Sequence, residues 1–124
     1  MYILDSTVII DILRSVAAAE KMNKLVEDAP AATTAFSVFE VFLGLKENEK
    51  QAAHDFFSTI PVVDFSQDAS FRSVEIERDL TKRGKKTNLV DVFIAGICLA
   101  DNHTLVTSDK GFRHIKELSV STVS

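Results

Sequence analysis

The sequence predicts a three-layer α/β/α sandwich built around a central, mainly parallel sheet. Two observations lead there. Short apolar runs alternate with segments of helical periodicity along the whole chain. The helical segments between successive strands are long enough to be the crossover connections that parallel strands require. Glycine (4) and proline (2) are both scarce, which disfavours disorder and turn-rich all-β architectures. At 124 residues the chain is near the common size of one domain, so residues 1–124 are read as a single one.

The elements follow in order. Tyr2 to Leu4 is a short apolar strand ending at Asp5. Thr7 to Arg14 reads as a helix, with Val8, Ile9, Ile12 and Leu13 on one face. Ala17 to Asp28 is a second helix, stopped by Asp28-Ala29-Pro30. Ala31 to Thr34 is a strand. Ser37 to Leu45 is a helix with Ser37 as its expected N-cap. Glu49 to Thr59 is another, and Pro61 to Val63 a short strand. Gln67 to Arg83 is a long helix with Gly84 placed to end it. Leu89 to Asn102 is strongly apolar and reads as a buried helix. Thr104 to Thr107 is a strand, Gly111 to Ile115 one helical turn, and Ser119 to Val123 a last strand.

Composition sets further bounds. The apolar share of 46% with nine Phe suits a packed soluble protein, and the Phe residues are expected in the core. A net charge of −4 means that nucleic acid would have to be held by a local basic patch or by bound metal. Cys98 stands alone, which excludes an intrachain disulfide, fits a reducing cytosol, and reads as a small core residue. No basic stretch precedes Tyr2-Ile3-Leu4, so that run is not a signal peptide. No apolar stretch approaches the roughly 20 residues that span a bilayer. A cytoplasmic protein is expected.

Four acids stand where chemistry is expected in such a fold. Ligands of open parallel sheets sit at the carboxyl ends of the strands, and Asp5 ends the first strand while Asp109 follows the strand Thr104–Thr107. Glu40 and Asp91 are lone charges in apolar helices, Phe39-Glu40-Val41-Phe42 and Asp91-Val92-Phe93-Ile94. Each has a bland explanation. Asp5 fits a helix N-cap, Glu40 a capping box with Ser37, Asp91 a first-turn acid behind an Asn88 cap, and Asp109 a turn residue. The four together point elsewhere. Converging carboxylates repel one another, and a hard divalent cation such as Mg²⁺ relieves that repulsion. One or two such ions suit phosphodiester hydrolysis.

These residues also carry a resemblance. Leu4-Asp5-Ser6-Thr7-Val8, Phe39-Glu40-Val41-Phe42-Leu43-Gly44, Asp91-Val92-Phe93-Ile94-Ala95 and Leu105-Val106-Thr107-Ser108-Asp109-Lys110-Gly111-Phe112 together resemble a PIN-domain ribonuclease. The likeness is greatest to the VapC toxins of prokaryotic toxin–antitoxin pairs, and it covers essentially the whole chain. It implies an endoribonuclease dependent on Mg²⁺ or Mn²⁺, with the family's acids at Asp5, Glu40, Asp91 and, as the more variable fourth, Asp109. It places supporting polar residues at Ser6, Thr7 and Thr107. It implies a homodimer and a cognate antitoxin that inhibits by placing a tail in the active site. The chain departs from the pattern in having Thr7 where the family often has Asn, no Pro in Lys86–Val90, and Gly111 where a second acid commonly stands.

The run Lys82-Arg83-Gly84-Lys85-Lys86 is the expected RNA-phosphate contact, with Lys46, Lys110 and Arg113 as weaker candidates. His54, His103 and His114 have no metal-ligand spacing and are expected at the surface without a catalytic role. Two rival readings remain at this stage. One is a receiver-like phosphoryl-handling domain using Asp64 and Lys110, and the other is a non-catalytic PIN-like interaction module.

Overall fold

The structure is a computed structural model that describes residues 1–122. Five strands, β1 (Tyr2–Leu4), β2 (Ala31–Thr34), β3 (Val62–Val63), β4 (Thr104–Thr107) and β5 (Val120–Thr122), form one sheet in the order β3-β2-β1-β4-β5. Every pairing is parallel, with Ile3 opposite Leu105 and Leu4 opposite Val106. Val123, expected in the last strand, lies outside the described residues.

Neighbouring residues of a strand point to opposite faces, and β1 and β4 are apolar on both. Ile3 and Leu105 pack on one side with Ile76 and Leu80 of α5 (Gln67–Lys82) and Val92, Ala95 and Cys98 of α6 (Leu89–Ala100). Leu4 and Val106 pack on the other side. Their partners are Val8 and Ile9 of α1 (Ser6–Arg14), Met22 of α2 (Val16–Leu25), Val41 of α3 (Ala35–Gly44) and Ala53 of α4 (Lys50–Phe57). Two cores with the sheet between them make the predicted α/β/α sandwich. Among the described residues no helix is long and apolar enough to cross a membrane.

The caps explain where the sequence reading of boundaries was off. Asp5 accepts the Ser6 N–H and starts α1 one residue early. Ser15 caps α2, and Ser66 caps α5. Thr34, not Ser37, caps α3: its hydroxyl accepts the Ser37 N–H at 3.1 Å, so the helix begins at Ala35. The Ser37–Glu40 capping box therefore does not form, because Ser37 lies inside the first turn. Asn88 caps α6 as expected, leaving Asp91 in its first turn. Gly84 ends α5 at φ +68°, with the Lys85 N–H donating to Leu80 O and the Gly84 N–H to Thr81 O.

The Phe residues divide. Phe112 is fully buried, and Phe36, Phe65 and Phe93 contact one another with ring centroids 5.0–5.6 Å apart. Phe39 and Phe71 are 66% and 59% exposed, which corrects the expectation that the Phe side chains lie mostly in the core. Phe39 shares its helical row with exposed Ala35 and Leu43, whereas the row of Ser37 and Val41 faces inward.

Helices α5 and α6 meet closely because α6 presents Gly96 to them. A Cβ at Gly96 would lie 2.2 Å from Ser73 Oγ and 2.6 Å from Ala69 O. Ser73 Oγ itself donates to Ala69 O at 2.7 Å, so it has little room to yield. Gly96→Ala is expected to cost about 1–3 kcal/mol through overpacking. Gly44→Ala, whose Cβ meets nothing closer than Ile10 Cδ1 at 3.6 Å, is expected to be neutral or to stabilise by up to about 1 kcal/mol. Urea unfolding of the pair checks both signs.

Candidate active site

The strand order places β2 and β3 on one side of β1 and β4 and β5 on the other. The switch point, where such sheets open a crevice at their carboxyl ends, therefore lies between β1 and β4. Asp5 leaves β1 there, its N–H donating to Val106 O at 3.0 Å. Thr107 is the last residue of β4, and Asp109 follows at the N-cap of a 3-10 turn, Lys110–His114.

Asp5 is 2% exposed and is held by donors on both oxygens. Oδ1 accepts the Ser6 N–H at 2.7 Å. Oδ2 accepts the hydroxyls of Thr7, at 3.2 Å, and of Thr107. Those hydroxyls are oriented in turn. Thr7 Oγ1 accepts the Ser108 N–H at 3.2 Å, and Thr107 Oγ1 accepts the Asp109 N–H at 2.9 Å. With each hydroxyl oxygen receiving a backbone N–H, its own proton points at Asp5. Residues Thr7 and Thr107 thus position Asp5, while Ser6 reaches a second carboxylate. Ser6 Oγ lies 3.2 Å from Glu40 Oε1 and 3.4 Å from Asp5 Oδ1, and its single proton can serve one of them at a time. Glu40 owes its place to this link across α1 and α3, which the sequence did not reveal.

Asp91 is partly buried, and its carboxylate accepts no hydrogen bond among the described residues. Asp109 is exposed, its Oδ1 accepting the Gly111 N–H at 2.8 Å. Electrostatics ties the four acids into one group. Burial raises the pKa of Asp5, and the Asp109 charge adds to the effect while the three hydrogen bonds oppose it. Burial, then Asp5 and Asp109, raise Glu40, with the Ser6 hydroxyl opposing. Asp91 is pushed up to about 7 by burial and by the charges of Asp109, Asp5 and Glu40. No basic side chain is among the groups acting on these three, and none of the four acids joins a salt bridge among the described residues. The four sequence-predicted acids therefore lie in one uncompensated field.

An all-oxygen carboxylate set with no neutralising partner fits a hard divalent cation. Among the described residues no three acidic, histidine or cysteine side chains close on a common point to enclose an ion unaided. Mg²⁺ does not need such an enclosure, since it keeps several waters and takes one or two carboxylates. The arrangement is an open group of acids at the carboxyl ends of β1 and β4.

The other candidates are not among the groups that act on Asp5, Glu40 and Asp91. Arg83, expected to contact RNA, bonds instead to Asp79 Oδ2 through Nε and Nη2 and to His114 O through Nη2, so its guanidinium is occupied as an internal strut. Lys82, Lys85 and Lys86 are exposed and make no salt bridge among the described residues. Lys46 lies beside Glu49, and Asp64 follows the edge strand β3 without acting on the three coupled acids. Cys98 is a core residue whose thiol burial pushes up to about 12. His54 is exposed against Phe42, and His103 and His114 are partly buried.

A family profile described as the PIN domain matches residues 2–118. The chain belongs to the PIN domain family. The fold of this PIN domain recurs in solved structures. VapBC2 from Rickettsia felis bound to a DNA fragment from its promoter superposes with a TM-score of 0.85 at 23% identity, covering 99% of this chain and 98% of that one. DNA-bound VapBC from Salmonella typhimurium gives 0.85 at 17% identity over 98% and 96%. VapBC-1 from nontypeable Haemophilus influenzae gives 0.81 at 22% over 98% and 96%. A comparison with curated proteins finds no match.

The raised pKa of Asp91 has a consequence for stability. Its folded-state value of about 7 exceeds the ordinary aspartate value of 3.8, so the folded form holds its proton more tightly than the unfolded form. The Asp91 contribution to stability is then fully present below about pH 4, falls as pH rises toward 7, and levels off above. Thermal melts of the metal-free protein between pH 4 and 8 should show that decline. Asp91→Asn should flatten it and melt higher than the parent at pH 8. A variant melting lower at pH 8 would contradict this.

Proposed function

We propose that this PIN domain, taken as one functional unit over residues 1–124, is an endoribonuclease dependent on Mg²⁺ or Mn²⁺. In the same reading it is the toxin of a VapBC-type pair. The observation that carries the catalytic part is that the charges of Asp5, Glu40 and Asp109 all act on Asp91, and that of Asp109 also on Asp5 and Glu40, at the β1–β4 switch point with no basic group among those acting on these three acids. PIN domains are generally nucleases, which supports the class of reaction. The VapBC complexes that share the fold support a cognate antitoxin as partner. A homodimer in the cytoplasm completes the reading.

Asp5, Glu40 and Asp91 are the proposed metal ligands, with Asp109 contributing directly or through water. A divalent cation bound there would polarise the phosphoryl oxygens and stabilise the charge that develops on the leaving oxygen. The chain's own part is positional. Thr7 and Thr107 hold Asp5 in place, and Ser6 couples Glu40 to it. Water attacks phosphorus in line as the bond from phosphorus to the 3′-oxygen breaks. The proton shed by the water balances the one gained by the 3′-oxygen. The products carry a 5′-phosphate and a 3′-hydroxyl. A receiver-like reading is disfavoured because Asp64 stands apart from the coupled acids.

Incubation with mixed cellular RNA and Mn²⁺ should give fragments with 5′-phosphate ends. Chelator or Asp5→Asn should abolish them, while a 2′,3′-cyclic phosphate product would contradict the proposed chemistry. At a hundredfold excess over its dissociation constant, metal should add about 2.7 kcal/mol to stability. A melting temperature unmoved by millimolar Mg²⁺ or Mn²⁺ in the cleaving preparation would count against a resident ion. Cleavage-dead, metal-indifferent protein would favour the non-catalytic interaction module.

A further inference from the structure

A second charged region lies outside the acidic group, and its sign is opposite. It is assembled from two segments far apart in sequence, the α5–α6 loop at residues 83–88 and the 3-10 turn Lys110–His114. Arg83 joins them. Its guanidinium bonds Asp79 on α5 and reaches across to the carbonyl oxygen of His114. The glycine cap at Gly84 turns the chain directly after this clip, so that Lys85 and Lys86 leave the helix end together.

The clip concentrates positive charge around His114. The imidazole faces Arg113 on its own turn, Lys85 on the loop and Arg83 at the end of α5. Burial and these three cations, in that order, hold its pKa below the usual histidine range. Nearby, Asp79 is already engaged by Arg83, and its other oxygen lies 3.9 Å from Lys116. Lys85, Lys86 and Arg113 are exposed, and none makes a salt bridge among the described residues. Beside them is an open depression of about 330 Å³ lined by Glu77, Thr81, Gly84, Lys85, Lys86 and Thr87. The Thr87 hydroxyl in its wall is buried without a hydrogen-bond partner among the described residues.

In a chain of net charge −4, such a concentration of unpaired cations is adapted to a polyanion. The two segments also lead toward the acids. Asp91 follows Lys86 by five residues, across the loop and into the first turn of α6, and Asp109 caps the 3-10 turn that carries Arg113. We propose that Lys85, Lys86 and Arg113, gathered around His114 by the Arg83 strut, form a phosphate-binding platform that holds the RNA backbone beside the cleaved bond. This rests on the RNA substrate proposed above. It assigns Arg83 a positioning role and leaves backbone contact to the cations that it brings together. A phosphate arriving at the platform also favours the protonated imidazole. RNA binding should therefore take up a proton at His114 and tighten as pH falls.

The test measures binding without cleavage. Fluorescence anisotropy with a labelled single-stranded RNA, in chelator and across a salt series, compares the parent with Lys85→Ala/Arg113→Ala. Lys24→Ala on α2 serves as the control. Losing two phosphate contacts should reduce the slope of log affinity against log salt by about 1.4, while the control keeps the parent slope. In parallel, NMR titration of the His114 ring should show its pKa rising when RNA is added to the parent and staying fixed in the double variant. The substituted side chains are exposed, and matching melting temperatures confirm intact folds. An unchanged salt slope, no RNA binding even at low salt, or a His114 titration blind to RNA each overturns the platform. Metal-dependent cleavage alongside an unchanged slope would sink the platform and leave the nuclease standing. Slope loss in a protein that cleaves nothing would do the reverse.

Discussion

A buried carboxylate has to be kept ionisable, and the rest of this molecule is arranged around how Asp5 meets that requirement. Desolvation opposes its charge. Against this stand one backbone N–H and two threonine hydroxyls, and the hydroxyls are themselves fixed by the N–H groups of Ser108 and Asp109. The turn after β4 thus determines the hydrogen-bonding polarity at the end of β1. Asp5 is also the N-cap of α1, so the residue cannot move without loosening the first helix. Sheet, turn and helix constrain one side chain from three directions.

Around that fixed charge the fold gathers further like charges. Helix α3 supplies Glu40, α6 supplies Asp91, and the turn after β4 supplies Asp109. Some acids elsewhere have an arginine partner. Glu49 meets Arg14 at 2.8 Å and its pKa falls to about 2, and Asp79 meets Arg83. The contrast within one small domain is informative. Glu49 and Asp79 each have an arginine; among the described residues the acids at the switch point have no salt bridge. Repulsion retained in that way lowers stability and raises affinity for a cation, the usual trade at a functional site.

Much of this was legible in the letters, for identifiable reasons. Short apolar runs between helical segments placed the five strands and six α-helices of the described residues, because strands covered on both faces are apolar throughout. Asp5 and Asp109 were visible as acids that end strands, and Gly84 and Asn88 as helix punctuation. What stayed hidden depends on contacts between segments distant in the chain. Thr34 outcompeted Ser37 for the α3 cap because β2 delivers its hydroxyl to the right turn. The Ser6–Glu40 link spans 34 residues. Arg83 looked like part of a uniform basic run until Asp79 and the His114 carbonyl claimed it. Phe39 and Phe71 looked like core because hydrophobicity alone does not say which row of a helix faces inward.

The central claim is that Asp5, Glu40 and Asp91 share a divalent cation at the carboxyl ends of β1 and β4. The most direct measurement is anomalous diffraction from crystals of the protein soaked in Mn²⁺. The account predicts a manganese peak between these carboxylates, within about 2.2 Å of at least one carboxylate oxygen and completed by waters. A difference map with no peak there, or with manganese bound only elsewhere on the surface, would contradict it.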